Sequence, residues 1–316
     1  MRFKFLTPEE EKKLTIEELT RYYNELREFY KNKDLGLGAN INDKFHKIYG
    51  FASKFIRKYD FEIRGLENIP DNEQVIFVCN HSNAFDTYTM HETLKKLFYP
   101  LTGSDCLNPL SYALIGLAGG QFIDRNDKES CIKGTNKWIG KILSGVNGVI
   151  FPESTWCLHP GRLLLPFKTG VIRSAIKADM KLIPIVFFYH EVDEYCKNVN
   201  QIIDKCIVQI GKPISASLND VIDNKVHDRK NELRDTLATM MWYIIEEYDI
   251  IPRNEFDPMI YVNHNELKKN TLLFKYKSKD EEKFIYHDDD YIYEEYPLNE
   301  VDIKKKTKRK NRESYE

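Results

Sequence analysis

Short β-rich runs alternate with helix-length stretches through the middle of this 316-residue chain, and that alternation constrains the fold more than any other feature. The runs are FEIRG (61–65), QVIFVCN (74–80), QFIDR (121–125), GVIFPE (148–153), LIPIVFF (182–188) and CIVQIGKPI (206–214). The second is almost continuously apolar, as a strand buried on both faces should be. Helix-length stretches at 86–97, 127–144 and 169–179 lie between them. The pattern predicts an α/β fold, a three-layer sandwich whose mostly parallel, mixed sheet is flanked by helices.

Three further helices are predicted outside this centre. Residues 16–33 place Ile16, Leu19, Tyr23, Leu26 and Tyr30 at helical spacing, and a glycine-containing stretch then separates them from a second helix, 43–58. Phe45, Ile48, Tyr49, Ala52 and Ile56 share one face of the second helix, opposite lysines. It reads as a core-facing helix or, from its basic and aromatic mixture, as one lying on a membrane surface. Residues 226–248 form the third, through Leu233, Leu237, Met240, Met241, Ile244 and Tyr248. The expected organisation is an N-terminal helical extension (1–42), a central domain (43–252) and a charged, partly disordered C-terminal extension (253–316). The extension carries a basic block, 304–312, suited to solvent or to anionic lipid.

Composition narrows the function. A formal charge of −2 argues against a dedicated nucleic-acid binder. The 6 cysteines include no CxxC pair and the N-terminus has no apolar secretory core, so reduced thiols and a cytoplasmic location are expected. No run reaches the roughly 18 apolar residues of a spanning helix. Residues 110–123, apolar but too short, read as a buried or interfacial segment. No cluster of metal ligands stands out.

The segment VCNHSNAFDTYT (78–89) carries the chemistry. A buried strand ends at Cys79–Asn80, and His81 follows at the carboxyl edge of the sheet, where α/β folds place functional groups. Asp86, five positions on, can return its carboxylate to the imidazole, fixing its tautomer and stabilising the imidazolium. A His-x4-Asp pair alone is weakly specific, and a solvated histidine is the bland alternative. Other strand ends add Arg125, Glu153 and, near a helix start, Lys168, Gly170 and Arg173. Each taken singly also fits a structural place, Arg125 beside Asp127 and Glu153 as a cap.

In order and spacing these segments resemble the lysophospholipid and glycerolphosphate acyltransferase family. FEIRGLENIP (61–70) resembles its lead-in strand, and NHSNAFD (80–86), GGQFIDR (119–125), FPEST (151–155) and LIPIVF (182–187) resemble its four blocks, with IGKPI (210–214) as a late strand. The resemblance covers roughly 43–248. It implies that His81 deprotonates an acceptor hydroxyl as the hydroxyl attacks an acyl thioester, acyl-CoA or acyl-carrier protein, with Asp86 orienting the imidazole. It further implies an acceptor site of Arg125 on a phosphate, with Glu153, Ser154, Thr155, Trp156 and Lys168 around a lysolipid such as 1-acylglycerol-3-phosphate. No acyl-enzyme, metal or other cofactor is implied, and Cys79 need not be a nucleophile.

The third block departs from the family pattern, Phe-Pro-Glu-Gly-Thr-Arg-Ser. Here Ser154 stands in place of glycine and Trp156 in place of arginine. The serine brings a Cβ into the turn. Tryptophan cannot make a charge-assisted bidentate contact, but it can stack on a sugar or pack an acyl chain. Either His159, Arg162, Lys168 and Arg173 replace the lost charge, or the acceptor lacks that phosphate and is another lysolipid, a glycolipid or a saccharide hydroxyl. A non-catalytic lipid-binding relative and a thioesterase using the same histidine are the readings from other classes.

Overall fold

The computed structural model describes residues 3–31, 33, 36–57, 59–82, 86–94, 96–104, 109–154, 157, 163–191, 203–222 and 225–247, with short strands between 284 and 311. Its centre is a seven-stranded sheet of β1 (Asp60–Arg64), β2 (Val75–Cys79), β3 (Phe98–Gly103), β4 (Gln121–Ile123), β5 (Asn147–Ile150), β6 (Lys181–Glu191) and β7 (Ile203–Ile210). The spatial order is β1-β7-β6-β2-β5-β3-β4. Neighbours are parallel except β6 and β7, so β1 and β7 run against the other five. The expected mostly parallel, mixed sheet is therefore what the chain forms.

Side chains along β2 sort the layers. Ile76 and Val78 enter one core with Leu19 and Leu26 of α2 (Ile16–Lys31), Trp138 of α6 (Lys128–Leu143), Ile172 of α7 (Gly170–Ala178) and Leu237 of α9 (Val226–Glu247). Val75, Phe77 and Cys79 enter the other, with Tyr88 and Met90 of α4 (Asp86–Thr93). The period of two, with both faces buried, is the sandwich read from the sequence. The remaining helices are α1 (Pro8–Glu11), α3 (Gly36–Ile56), α5 (Pro109–Leu117) and α8 (Leu218–Ile222).

Some expectations are corrected. The second helix starts earlier than expected: α2 ends at Lys31 and α3 begins at Gly36, within the glycine-containing stretch, rather than at 43. Its orientation differs in part: of the expected face Tyr49 packs against the core but Ile48 is exposed, as are Ile41, Phe51 and Phe55, while His46 and Ser53 are buried. On the inner face the Tyr49 ring packs against Tyr88 and His91 of α4, with centroids 5.0 and 4.5 Å apart, and a Cβ at Gly50 would stand 3.0 Å from the His91 carbonyl. Strand β3 was not expected, since Pro100 and Gly103 suppress its β signal. Pro100 stands before the pairing with β4 begins at Leu101, a place where a strand tolerates a residue with no N–H. The segment read at 110–123 divides into α5, a turn at Ala118–Gly119, and β4. Gly119 has φ 80, and a Cβ there would run into the Tyr99 ring.

The C-terminal extension lies outside the described residues apart from an antiparallel ribbon of β8 (Phe284–His287), β9 (Tyr291–Glu295) and β10 (Arg309–Asn311). Most of the basic block 304–312 is thus also outside them.

Candidate active site

The five co-directional strands present their carboxyl ends at one edge, and the dyad sits there. Strand β2 stops because its next ladder position is taken by a side chain. Asn80, buried, donates from Nδ2 to the Phe187 carbonyl at 3.0 Å and accepts at Oδ1 from the Phe187 N–H at 2.7 Å. The amide continues the β2–β6 ladder while the backbone turns away, which releases His81 from the sheet.

His81 is fixed at several points. Its N–H donates to Glu153 Oε1 at 2.7 Å, and its carbonyl accepts from the Cys157 N–H at 2.7 Å. The ring lies 4.5 Å from that of Phe151, tilted by 35°. Nδ1 is 2.7 Å from Asp86 Oδ2, which also accepts from the Ser82 N–H at 3.0 Å. A carboxylate at Nδ1 selects the tautomer with its proton there, so Nε2 is the basic nitrogen. The His81 side chain is 19% exposed and that of Asp86 0%, which lets a substrate reach the imidazole but not the carboxylate.

Asp86 opens α4, and its other oxygen, Oδ1, accepts from the Tyr189 hydroxyl at 2.8 Å. Tyr189 OH also lies 3.0 Å from Thr89 Oγ1. Burial, with Asp86 close by, pushes the Tyr189 phenol well above its ordinary value, so it keeps its proton. The same two causes raise Cys79, which stays a thiol and makes a poor nucleophile beside the dyad. Neither Tyr189 nor Thr89 was singled out from the sequence. The Tyr189 contact with Asp86 joins β6 to α4, 103 residues apart, and no local pattern marks it.

Glu153 is 3% exposed and stands between two backbone donors, His81 N–H at Oε1 and Leu165 N–H at Oε2, the latter at 2.7 Å. The structure thus gives it a positioning place under the loop of His81. Ser154 follows with φ 63, the left-handed conformation where glycine is favoured. Lys168 returns its N–H to the Pro152 carbonyl at 3.0 Å, tying the 163–168 segment to this turn, and its side chain is exposed. Thr155, Trp156, His159 and Arg162 lie outside the described residues. Arg173 lies on α7 and acts on the Tyr23 phenol of α2.

Arg125 occupies the turn between β4 and α6, where Asp127 caps the helix by accepting from the Glu129 N–H. Three strand spacings separate β4 from β2, about 14 Å at roughly 4.8 Å each. The His81 imidazole and this cation therefore stand at two stations along one sheet edge.

Residues 60–188 match the family model described as Acyltransferase. The 1-acyl-sn-glycerol-3-phosphate acyltransferase alpha of Bos taurus is 29% identical over 181 residues, covering 56% of this chain and 62% of the relative. That of Mus musculus is 30% identical over 183 residues, covering 56% and 63%. The chain thus spans less than two thirds of the length of these relatives. Among solved structures, the 1-acyl-sn-glycerophosphate (LPA) acyltransferase PlsC of Thermotoga maritima is similar with a TM-score of 0.46 and 16% identity, over 70% of this chain and 89% of that one. The matched segment, residues 60–188, is thus similar to the acyltransferase family, and it contains both His81 and Asp86.

Proposed function

We propose that the protein is an O-acyltransferase that moves a fatty acyl group from an acyl thioester to a hydroxyl of a lysophospholipid of the 1-acylglycerol-3-phosphate type, with His81 as general base. The 2.7 Å contact between His81 Nδ1 and Asp86 Oδ2 carries the reading. Nε2 takes the proton of the acceptor hydroxyl as its oxygen attacks the thioester carbonyl. The tetrahedral intermediate then expels the thiolate, which takes that proton from the imidazolium. Such general-base help contributes about 10²–10⁴-fold. Acyl-CoA and acyl-carrier protein both supply this leaving group, and the step uses no metal or prosthetic group.

Arg125 supports a phosphate-bearing acceptor, because an arginine arm, a glycerol phosphate and an imidazole together span its distance from His81. Lys168 adds an exposed cation near the third-block turn. Trp156, in the arginine position of that block, favours a second reading in which the acceptor is a glycolipid or saccharide hydroxyl.

Contact with a lipid surface belongs to the same proposal. Ile41, Ile48, Phe51 and Phe55 line the outer face of α3, flanked by Lys44, Lys47 and Lys54. Leu110, Tyr112 and Leu117 of α5 are exposed beside it, since His46 Nε2 meets the Ala118 carbonyl at 3.0 Å. An apolar face edged by lysines suits the headgroup boundary. No described helix is long and apolar enough to cross a membrane.

Labelled acyl-CoA and acyl-carrier protein, offered with lysophospholipids and glycolipids, test the reading. Thioester consumption with acylated lysophospholipid, lost in His81→Ala, is expected. No turnover with any pair would overturn it, and product only from glycolipids would select the second reading.

A further inference from the structure

Asp86 is wholly enclosed, and its two oxygens are held from different parts of the fold. Oδ2 is shared by His81 and Ser82 from the loop after β2, whereas Oδ1 is taken by Tyr189 from β6, 103 residues further along the chain. A carboxylate held at Oδ2 alone can rotate about its Cβ–Cγ bond and still keep one contact. Held at both oxygens, it has a single orientation. The partners decide the proton directions: the Tyr189 hydroxyl donates to the carboxylate and accepts from Thr89 Oγ1, on the same helix as Asp86.

We propose that Tyr189 is a positioning residue for acyl transfer, its hydroxyl locking Asp86 and sharing the carboxylate charge so that Oδ2 stays aimed at His81 Nδ1. This rests on the acyl-transfer reading above. The Tyr189 ring is held independently of its hydroxyl, edge-on to Tyr59 at 6.1 Å. Tyr59, Cys79 and Cys206 among the described residues also feel Asp86, and burial raises each of them so that they keep their protons. Beyond them Arg57 and Glu92 pair with each other at 3.0 Å. Tyr189 is thus the fixed neutral donor against Oδ1, and removing its oxygen concentrates the carboxylate charge on the side facing His81.

Tyr189→Phe in the full chain tests this. The expected result is a kcat lower by about tenfold with the thioester KM unchanged, as befits a lost hydrogen bond to a charged group. The His81 imidazole, followed by NMR with His81→Gln assigning its signal, should titrate about half a pH unit higher. Thr89→Val, which frees the Tyr189 hydroxyl from its own anchor, should give a smaller change in the same direction, and it decides the matter if Tyr189→Phe does not fold. An unmoved imidazole titration overturns the proposal, whether or not kcat falls, because loss of activity alone marks a merely structural place. Should the wild-type chain transfer no acyl group, the acyl-transfer reading fails by itself, and the imidazole titration still decides whether Tyr189 acts on the pair.

Discussion

Glu153 reaches His81 through the backbone: its Oε1 accepts the His81 N–H at 2.7 Å while Oε2 holds the Leu165 N–H. The carboxylate therefore ties two loops together beneath the imidazole. Glu153→Gln would turn an amide NH₂ towards one of those donors, at a cost of about 1–3 kcal/mol for the unsatisfied buried groups. Melting should fall accordingly, with kcat reduced more than either KM. A rise confined to the acceptor KM would instead return Glu153 to the acceptor-binding place that the family resemblance implies.

Asp86→Asn keeps the shape of the site but offers an amide where Nδ1–H needs an acceptor. Loss of the correct tautomer should lower kcat by about 10²–10⁴-fold. Kinetics with saturating thioester measure it, and a change below threefold would rule out His81 as the base acting through Asp86.

Two histidines behind the site set an acid limit on stability. His46 and His91 lie with ring centroids 4.4 Å apart, and burial lowers both, with His46 further disfavouring charge on His91. The His91 Nε2 has no hydrogen-bond partner among the described residues. The fold keeps both neutral, whereas the unfolded chain protonates them below about pH 6.5. The unfolded state then binds more protons, so their contribution is complete above that pH and is lost as the pH falls, by about 1.4 kcal/mol per pH unit for each histidine. Melting curves from pH 7.5 to 5 should show the fall, and His91→Phe should flatten it. An equal slope in the variant would place the acid sensitivity elsewhere.

Ser154 adopts a left-handed conformation that costs a residue with a Cβ about 1 kcal/mol. Ser154→Gly relieves that strain and loosens the unfolded chain, for a net gain of about 0.5 kcal/mol. Chemical denaturation would show it as a higher midpoint at unchanged slope. A lower midpoint would mean that the serine hydroxyl does more for the turn than its Cβ costs.

The outward stripe of α3 gives the surface test. Replacing Phe51 and Phe55, 65% and 73% exposed, with serine removes apolar area without touching the core. Co-sedimentation with anionic liposomes should drop severalfold while melting stays the same. Unchanged co-sedimentation would dismiss α3 as the contact.

The sandwich and the dyad were legible because their signals are local. Val75 to Cys79 is apolar throughout, and His81 and Asp86 are near enough in sequence to be read as one motif. What escaped depends on distance or on surroundings. Nothing near Tyr189 announces a carboxylate at the start of α4. The apolar period of α3 marks a face but cannot say whether protein covers it, and here Ile48 and Phe51 turn outward. Strand β3 escaped because its neighbours impose an extended conformation on Pro100 and Gly103.

The span between Asp86 and Tyr189 also sets an order of events during synthesis. The ribosome makes the His81–Asp86 pair early, but the 103 residues leading to Tyr189 take about 5–20 s more at about 5–20 residues per second. Until then the carboxylate lacks the Tyr189 hydroxyl at Oδ1, and β2 lacks the neighbour that the Asn80 amide clasps. A nascent chain released before β6 would therefore carry the entire His-x4-Asp motif in a water-exposed loop, and the His81–Asp86 pair would reach its buried frame only when the sheet closes around it.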